Sequence, residues 1–288
     1  LDAAQKPLSL EELGMLPDTV DIVREGISKS YGMVLITGPT GSGKTTTLYS
    51  LMSILNKPEV NIVTIEDPIE YDMRYVNQVQ VNQNAGVTFA SGLRSILRQD
   101  PNIIMVGEIR DSETASISVQ SALTGHVVLS SLHTNDAPTA VPRLMDMGVK
   151  RFLVSAVINV ISAQRLVRNV HLECIESYEP DETIYSTINE QLKNIGVDPS
   201  TIKLPKTFYK GKGCDNCNDT GYSGRGGIFE VMNVTEKIRD FVASPDFDLE
   251  KLRVLAREEG MISMFEDGLK KVERGMTTID EILRVIRE

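Results

Sequence analysis

The sequence has no tryptophan, and aromatic residues make up only 5% of it. It has only three cysteines and three histidines. The hydrophobic core must therefore consist mainly of Ile, Leu, Val and Met side chains. An odd number of cysteines does not form a complete disulfide framework of the kind found in small secreted proteins. The composition instead predicts a reducing compartment, and two cysteines at C-x-x-C spacing suggest a metal site.

Long apolar runs and an excess of basic residues are also missing. No run of 18 apolar residues occurs, so the sequence predicts no membrane-spanning helix. The first residues lack the basic and apolar runs of a signal peptide, and they lack an initiating Met, so we expect a fragment of a longer protein. The net charge of −10 disfavours nucleic acid as the main partner, because nucleic-acid-binding proteins usually present a basic face.

Short apolar runs alternate with helical patterns in the first half of the chain. The predicted buried strands are residues 33–36, 61–65, 103–106 and 127–130. The predicted helices are residues 18–28, 44–55, 90–98, 112–123 and 137–147. Residues 75–81 alternate polar and apolar side chains and predict a half-exposed strand. This alternation predicts an α/β fold with a largely parallel sheet covered on both faces.

The remaining chain has other patterns. Residues 9–12 form a capping-box sequence that predicts the start of a short helix. The strand and helix alternation ends near Gln164, and residues 171–217 look polar and loop-like. From Val234 onward the sequence predicts helices only, among them residues 249–258 and 278–288.

A phosphate-binding loop follows the first predicted strand and satisfies G-x-x-x-x-G-K-[ST] in full. Glycines let the backbone N–H groups turn toward phosphate oxygens, and the following helix adds its positive dipole end. Lys44 can reach the β- and γ-phosphates, and the Thr45 hydroxyl can bind Mg²⁺. The predicted nucleotide-binding residues of this loop are Gly38, Pro39, Thr40, Gly41, Ser42, Gly43, Lys44, Thr45 and Thr46.

Acidic residues follow two of the predicted strands. Glu66 and Glu70 come after residues 61–65, and Glu108 comes after residues 103–106. The carboxyl ends of parallel strands lie at the same edge of a sheet as the phosphate loop. Phosphoryl transfer needs metal support and a group that positions water, so we predict that Glu108 orients or activates the attacking water. Glu66 is a second catalytic candidate and, with Glu70, a candidate for the Mg²⁺ site; the alternative for both is a structural role.

Histidines flank the fourth predicted strand, and arginines lie near the acids in sequence. His126 precedes this strand and His133 follows it, and either could contact a γ-phosphate. Arg94 and Arg110 are candidates for stabilising the charge that develops in the transition state, in the same subunit or a neighbouring one. The alternatives are structural histidines and ordinary surface or interface ion pairs.

Taken together, these motifs closely resemble the secretion ATPases of type IV pilus assembly and type II secretion. The resemblance covers nearly the whole chain. The segments that carry it are the loop at residues 38–47 and residues 64–70, 93–101, 106–111, 125–134, 164–167, 220–230 and 275–281.

The resemblance implies a RecA-like P-loop NTPase core that hydrolyses ATP with Mg²⁺. It implies a homohexameric ring of cytoplasmic subunits that reaches the inner membrane only through a platform protein. In that family the glutamate matching Glu108 is catalytic, and the arginines matching Arg94 and Arg110 are implicated at the site or the subunit interface. The family also has an N-terminal domain, and we expect this sequence to begin in the linker that follows it.

The family resemblance also raises the question of zinc. Members that extend pili or export proteins carry two C-x-x-C pairs in a zinc module, whereas retraction members usually lack it. Here the second pair is Cys214 and Cys217, and the position of the first pair holds His171 and Cys174. Three cysteines and one histidine form an accepted tetrahedral zinc site, so we predict Zn²⁺ at these four residues. The alternative is a decayed site with free thiols.

The predicted organisation is a linker at residues 1–30, an ATPase core at 31–168, a metal-binding module at 169–232 and a helical subdomain at 233–288. The predicted function is ATP-driven assembly of type IV pilus filaments. The alternatives are pseudopilus growth in type II secretion, pilus retraction, and a nucleotide-binding scaffold without appreciable turnover. The cysteine module disfavours retraction, intact Lys44 and Glu108 disfavour a scaffold, and the acidic charge disfavours a nucleic-acid motor.

Overall fold

The computed structural model describes residues 7–287, and these form two compact units. The first unit contains the described chain up to Gln164 together with Glu230–Met261. The second contains Arg165–Phe229 and the chain from Ile262 onward. These units do not coincide with the four predicted segments, because the whole first half of the predicted helical subdomain belongs to the first unit. The division into four functional segments remains a prediction.

The described chain forms a mixture of strands and helices. The strands are β1 (Gly32–Thr37), β2 (Ile62–Glu66), β3 (Val76–Gln80), β4 (Ile103–Val106), β5 (Val127–Leu132), β6 (Ile158–Val170), β7 (Ile175–Tyr178), β8 (Phe208–Gly211) and β9 (Tyr222–Asn233). The helices are α1 (Pro17–Ser28), α2 (Lys44–Leu55), α3 (Phe89–Ile96), α4 (Ser112–Leu123), α5 (Ala140–Asp146), α6 (Arg151–Val157), α7 (Glu182–Asn194), α8 (Glu236–Ala243), α9 (Leu249–Glu258), α10 (Met264–Glu273) and α11 (Ile279–Arg287). Among the described residues, no helix combines the length and apolar character needed to cross a membrane.

The main sheet has seven strands in the order β3-β2-β4-β5-β1-β6-β9. Five strand pairs are described among strands β1 to β6, and all five are parallel, which confirms the prediction of a mostly parallel sheet. Strands β1, β2, β4 and β5 are buried along their whole length, as parallel strands covered on both faces require. Strand β3 lies at the edge and is only partly buried, which agrees with its alternating sequence.

The register of the parallel strands brings their carboxyl ends to one edge. Thr37 at the end of β1 pairs with Leu132 at the end of β5, and Val106 at the end of β4 pairs with Ser130 of β5. Ile65, near the end of β2, pairs with Val106. The segments that follow β1, β2, β4 and β5 therefore leave the sheet at the same edge, as predicted.

The second unit contains a small antiparallel sheet of β7 and β8, together with helices α7, α10 and α11. Its apolar core includes Ile188 and Leu192 of α7, Phe208 of β8, and Leu269 and Ile282 of the last two helices. The helices after β9 confirm the prediction of a helical C-terminal segment.

Helix α7 corrects the prediction that residues 171–217 are loop-like. The Asp181 side chain accepts a hydrogen bond from the backbone N–H of Ile184 at 2.9 Å and so caps the helix. Ile184, Ile188 and Leu192 follow at four-residue spacing and face the core. The capping residue and this spacing were both present in the sequence, but the surrounding polar residues obscured them.

The strand and helix alternation does end near Gln164, because β6 is followed by β7 with no α-helix between them. Strand β6 itself, from Ile158 to Val170, was not predicted. The β-branched residues Ile158, Val160 and Ile161 favour this strand. Residues 9–12 form the hydrogen bonds of a capping box, with Ser9 Oγ accepting from the Glu12 N–H at 3.1 Å, but they make a turn and no helix follows directly.

Candidate functional site: a phosphate loop and a cysteine–histidine cluster

The loop between β1 and α2 is shaped by glycines. Gly38, Gly41 and Gly43 have φ values of 146°, 79° and 87°, which side chains disfavour. A Cβ atom on Gly38 would lie 2.5 Å from the Gln164 carbonyl oxygen and 2.6 Å from the Ser42 hydroxyl. Gly43 is also the N-cap of α2 and has no side chain to occupy the first N–H groups of the helix. These N–H groups and the helix dipole form a favourable site for phosphate.

Lys44 folds back over this loop. Its Nζ donates hydrogen bonds to the carbonyl oxygens of Gly38 and Pro39, each at 2.9 Å. Burial lowers the pKa of Lys44, and the nearby Glu108 carboxylate opposes that shift. Thr45 and Thr46 follow in the first turn of α2 and are exposed. The arrangement offers an ammonium group beside the helix N-terminus, with an accessible hydroxyl next to it.

Gln164 holds the loop from β6, and the sequence analysis did not include it among the site residues. Its side-chain amide donates to the Ser42 carbonyl oxygen at 2.7 Å, and its amide oxygen accepts from the Thr47 hydroxyl at 2.8 Å. The side chain is buried. The available signal was an amide residue that directly follows an apolar run, because a buried amide requires hydrogen-bond partners.

Glu108 lies after β4 at the same edge of the sheet. Its Oε2 lies 3.1 Å from His133 Nε2, and its Oε1 forms an ion pair with Arg110. The carboxylate is 12% exposed, whereas the Arg110 side chain is 65% exposed. The structure thus brings together Glu108, His133 and Arg110 and places the charge of Glu108 close enough to affect Lys44. A carboxylate in this position can orient a water molecule and accept its proton.

Glu66 lies at the end of β2 and is buried. Its carboxylate accepts hydrogen bonds from the Tyr49 hydroxyl, the Thr64 hydroxyl and the Gln78 amide at 2.5, 2.6 and 3.1 Å. Glu70 is exposed, and its backbone N–H donates to the Tyr49 hydroxyl at 3.2 Å. The two predicted acids therefore differ in burial: the Glu66 carboxylate is buried and hydrogen-bonded, whereas Glu70 is exposed to solvent.

His126 lies at the opposite edge of the sheet, which contradicts its predicted contact with this nucleotide site. Its carbonyl oxygen accepts from the Gly32 N–H at the start of β1, and its Nδ1 lies 2.9 Å from the Ser121 carbonyl oxygen. A strand rises roughly 3.3 Å per residue, so Gly32 and Gly38 are about 20 Å apart. His126 precedes β5 and His133 follows it, so the two histidines lie at opposite ends of that strand.

Arg94 forms its ion pair with a residue other than Glu108. It is part of α3 and forms an ion pair with Glu113 in the first turn of α4. Both side chains are more than half exposed. Arg94 is therefore a surface residue, whereas Arg110 contacts the predicted catalytic carboxylate directly.

The residues around the loop fit a nucleoside triphosphate with Mg²⁺. The positive φ glycines, the Lys44 ammonium and the uncapped start of α2 match a polyphosphate chain. The exposed Thr45 hydroxyl is suited to bind Mg²⁺, and the Glu66 and Glu108 carboxylates add negative charge at the same edge.

In the second unit, His171, Cys174, Cys214 and Cys217 form a cluster whose ligand atoms all lie within 4.8 Å of one another. His171 Nδ1 lies 3.6 Å from Cys174 Sγ and 3.4 Å from Cys214 Sγ. Cys217 Sγ lies 3.9 and 3.6 Å from the other two sulfur atoms. Tetrahedral zinc, with Zn–S near 2.3 Å and Zn–N near 2.0 Å, places ligand atoms roughly 3.5–3.8 Å apart. Four of the six ligand-atom pairs, at 3.4–3.9 Å, are therefore close to the spacing of a tetrahedral zinc site.

Backbone donors surround Cys217. The N–H groups of Cys214 and Gly221 lie 3.2 and 3.3 Å from its Sγ. Burial works against the thiolate, but the hydrogen bonds from these backbone groups and from the Cys214 and Cys174 thiols outweigh it and lower the pKa of Cys217 to about 6. The local structure thus favours the deprotonated sulfur that binds metals.

Similarity to known proteins agrees with these geometries. A family model for the type II/IV secretion system protein matches residues 1–284. Type II secretion system protein E of Pseudomonas aeruginosa is 46% identical over 288 residues, covering 100% of this chain and 55% of that protein. The type IV pilus assembly ATPase PilB of Thermus thermophilus is 46% identical over 274 residues, covering 95% of this chain and 30% of that protein. The chain thus spans about half or less of the length of these curated relatives.

Solved structures share the fold. The pilus retraction motor PilT with bound ADP superposes with a TM-score of 0.70 at 26% identity, covering 98% of this chain and 68% of that one. The ATPase DotB of Legionella pneumophila gives a TM-score of 0.68 at 24% identity over 98% of this chain and 66% of that one. The latter similarity concerns the fold alone. With the phosphate loop, the parallel sheet and the family match in agreement, this chain belongs to the type II/IV secretion system protein family.

Proposed function

We propose that the protein hydrolyses ATP and that a ring of six copies uses the energy to assemble type IV pilus filaments. The main support is the position of Glu108, which follows β4 at the same edge of the sheet as the phosphate loop and contacts His133 and Arg110. The relatives named PilB are described as pilus assembly ATPases. The chain spans only part of these relatives, so the activity of the whole protein is part of the proposal.

In this proposal the loop residues 38–46 bind the phosphates, and Lys44 neutralises their charge. The exposed Thr45 hydroxyl would hold Mg²⁺, and the metal would supply positive charge next to the phosphates. Glu108 accepts a proton from the attacking water, and His133 holds the carboxylate in place. Glu66 supports the metal from the end of β2, and the exposed Glu70 makes a weaker, charge-based contribution.

Arginines complete the site by stabilising charge on the γ-phosphoryl group. Arg110 reaches this position in its own subunit, since it already contacts Glu108. The exposed Arg94 acts at the interface with a neighbouring copy in the ring. The ring is located in the cytoplasm and works at the inner membrane through a platform protein, without binding nucleic acid.

Growth of a pseudopilus in type II secretion is the second candidate. The observation that favours it is that the chain is as similar to type II secretion proteins as to PilB. Type II secretion system protein E of Pseudomonas aeruginosa and type II secretion system ATPase E of Vibrio cholerae are 46% and 45% identical to this chain, and PilB of Thermus thermophilus is 46% identical. Deleting the gene distinguishes the candidates: surface filaments disappear in the first case, and exported proteins remain inside the cell in the second.

In the second unit, we propose that His171, Cys174, Cys214 and Cys217 bind Zn²⁺. The support is the tetrahedral spacing of the ligand atoms and the donors around Cys217. Zinc at this point joins two segments that are 40 residues apart in the chain. Its role is to fix the fold of the second unit, because a site with four protein ligands leaves no position for a substrate.

The Glu108→Gln variant of the full-length protein tests the catalytic assignment. The amide keeps the shape of the side chain but cannot accept a proton, so we expect turnover to fall by about 100-fold or more. Steady-state phosphate release measures the rate, and nucleotide binding should remain. Glu59→Gln, which alters an exposed acid in the turn between α2 and β2, is the matched control and should keep most of the activity. An unchanged rate in the Glu108 variant would show that this carboxylate is not the catalytic base.

A further inference from the structure

Tyr49 is a fully buried residue of α2 whose hydroxyl meets polar groups from three segments. It donates to Glu66 at 2.5 Å, and it accepts from the Glu70 backbone N–H and from the Gln78 amide, each at 3.2 Å. The hydroxyl thus uses both its donor and its acceptor capacity. Neither the phosphate-loop motif nor the family resemblance had drawn attention to this residue.

The position of Tyr49 in α2 relates Glu66 to the phosphate loop. Tyr49 comes four residues after Thr45, and residues at this spacing share one face of a helix, one turn apart. Thr45 is the residue suited to bind Mg²⁺, and it is exposed, whereas Tyr49 is buried beneath it. The Tyr49 hydroxyl therefore connects the helix that carries Thr45 to the carboxylate at the end of β2.

The surroundings of Glu66 leave it little freedom. One carboxylate oxygen accepts from Tyr49, and the other accepts from Thr64 and Gln78. Burial, and next the hydrogen bond to Glu66, raise the pKa of Tyr49 well above its usual value, so the phenol remains a donor at neutral pH. The Tyr71 ring packs against Tyr49 with the ring centroids 4.4 Å apart and restricts its rotation.

We propose that Tyr49 is a positioning residue for Glu66, and that it fixes this carboxylate relative to Thr45 so that both support the Mg²⁺ of bound ATP. The proposal rests on the proposed function of this site as an ATPase centre. A purely structural role would make Tyr49 important for stability but not for the response to metal. The two roles therefore differ in what the loss of one hydroxyl does to magnesium-dependent binding.

The test compares binding of a non-hydrolysable ATP analogue, adenylyl imidodiphosphate, with Mg²⁺ and with EDTA in the full-length protein. A hydrogen bond to a charged group typically contributes enough for about a tenfold change in binding. We expect Tyr49→Phe to weaken binding about tenfold with Mg²⁺ and less than about twofold with EDTA. Tyr75→Phe, at an exposed tyrosine just before β3, is the control: it also removes one hydroxyl, and it should change neither value.

Thr64→Val provides a second variant that is close in shape and removes the donor to the other carboxylate oxygen. It should also weaken binding of the analogue with Mg²⁺ more than binding with EDTA. If Tyr49→Phe does not fold, this variant tests whether fixing the Glu66 carboxylate matters for the metal. Equal weakening with and without Mg²⁺, or a lower melting temperature with unchanged binding, would overturn the proposal. Because the analogue is not hydrolysed, this result is independent of the Glu108→Gln test, and the two proposals can fail separately.

Discussion

The two units hold their functional side chains by different means. In the first unit the phosphate loop, Glu66 and Glu108 lie at the ends of fully buried strands of a seven-stranded sheet. In the second, the cysteine–histidine cluster lies on short 3-10 turns beside a two-stranded sheet. A two-stranded sheet has little stability of its own. The comparison indicates that apolar packing fixes the first site, whereas polar contacts and a metal must contribute more to the second.

Buried charges in the second unit support this view. Lys271 and Asp267 form an ion pair inside it, and both side chains are nearly inaccessible to solvent. Lys271 also donates to the Gly227 carbonyl oxygen at 2.6 Å, and Asp267 accepts from the Phe229 N–H at 2.8 Å. These bonds connect β9 with α10. A buried pair of this kind is costly to break because it leaves one charge without a partner.

The largest expected effect comes from removing a metal ligand. Cys217→Ser should abolish zinc binding and destabilise the second unit by at least about 3 kcal/mol, because metal-binding free energy contributes directly to folding in such sites. Elemental analysis measures the metal, and hydrogen exchange measures local stability. Asn216→Ala, an exposed change between two of the ligands, should keep the metal.

In the same experiment the phosphate loop should keep its hydrogen-exchange protection if the two units differ as we infer. Equal loss of protection in both units would contradict the comparison. Less than about half an equivalent of zinc per wild-type chain would contradict the zinc proposal itself.

A smaller effect on stability is expected when the pH is lowered. Burial alone would raise the pKa of Glu281, but hydrogen bonds from Arg168 and Arg284 lower it from its usual 4.5 to about 2. The stabilisation is therefore complete above pH 4.5 and is lost as the pH falls toward 2. We expect it to contribute about 2 kcal/mol, after allowance for screening of the half-exposed arginines.

Urea unfolding at pH 7 and pH 3 measures this contribution. Glu281→Gln should reduce stability at pH 7 and should flatten the dependence on pH. Glu273→Gln, at an exposed acid of α10, is the control and should preserve the dependence. If the two variants show the same pH profile, the ion pairs of Glu281 do not contribute as the structure suggests.

The smallest effect concerns the support of the phosphate loop. Gln164→Leu removes the hydrogen bonds to the Ser42 carbonyl oxygen and the Thr47 hydroxyl. Nucleotide affinity should fall about fivefold to tenfold, because a typical hydrogen bond contributes about 1 kcal/mol. Fluorescent nucleotide titration measures this change. Ser162→Ala, two residues earlier in β6 and equally buried, should leave the affinity unchanged, and a matching loss in both variants would indicate a general weakening of β6.

The sequence predicted the first unit well because each element there has a local pattern. The apolar run of β1, the glycines of the loop and the helix from Lys44 to Leu55 are contiguous, and the structure reproduces that helix from end to end. The edge at which Glu108 and His133 lie also followed from the sequence, since parallel strands have a fixed direction. The same rule should have excluded His126, which precedes its strand.

The sequence was less informative where contacts join distant residues. No local pattern identified Glu66 as the partner of Tyr49, or the phosphate loop as the partner of Gln164, because these residues are 17 and 122 positions apart. In the second unit, polar segments hid α7, whose apolar side chains are recognised only against the core they fill.

By itself, the sequence determined the phosphate loop, the order of the central elements, the four cysteine and histidine positions and the family. Backbone preference and short-range spacing suffice for these features. Only the tertiary structure decided which acid is exposed and which is held, that His133 contacts the Glu108 carboxylate, and that the sulfur and nitrogen atoms of four separate residues lie within 4.8 Å of one another. Those outcomes depend on how separate segments pack, and no local pattern encodes that packing.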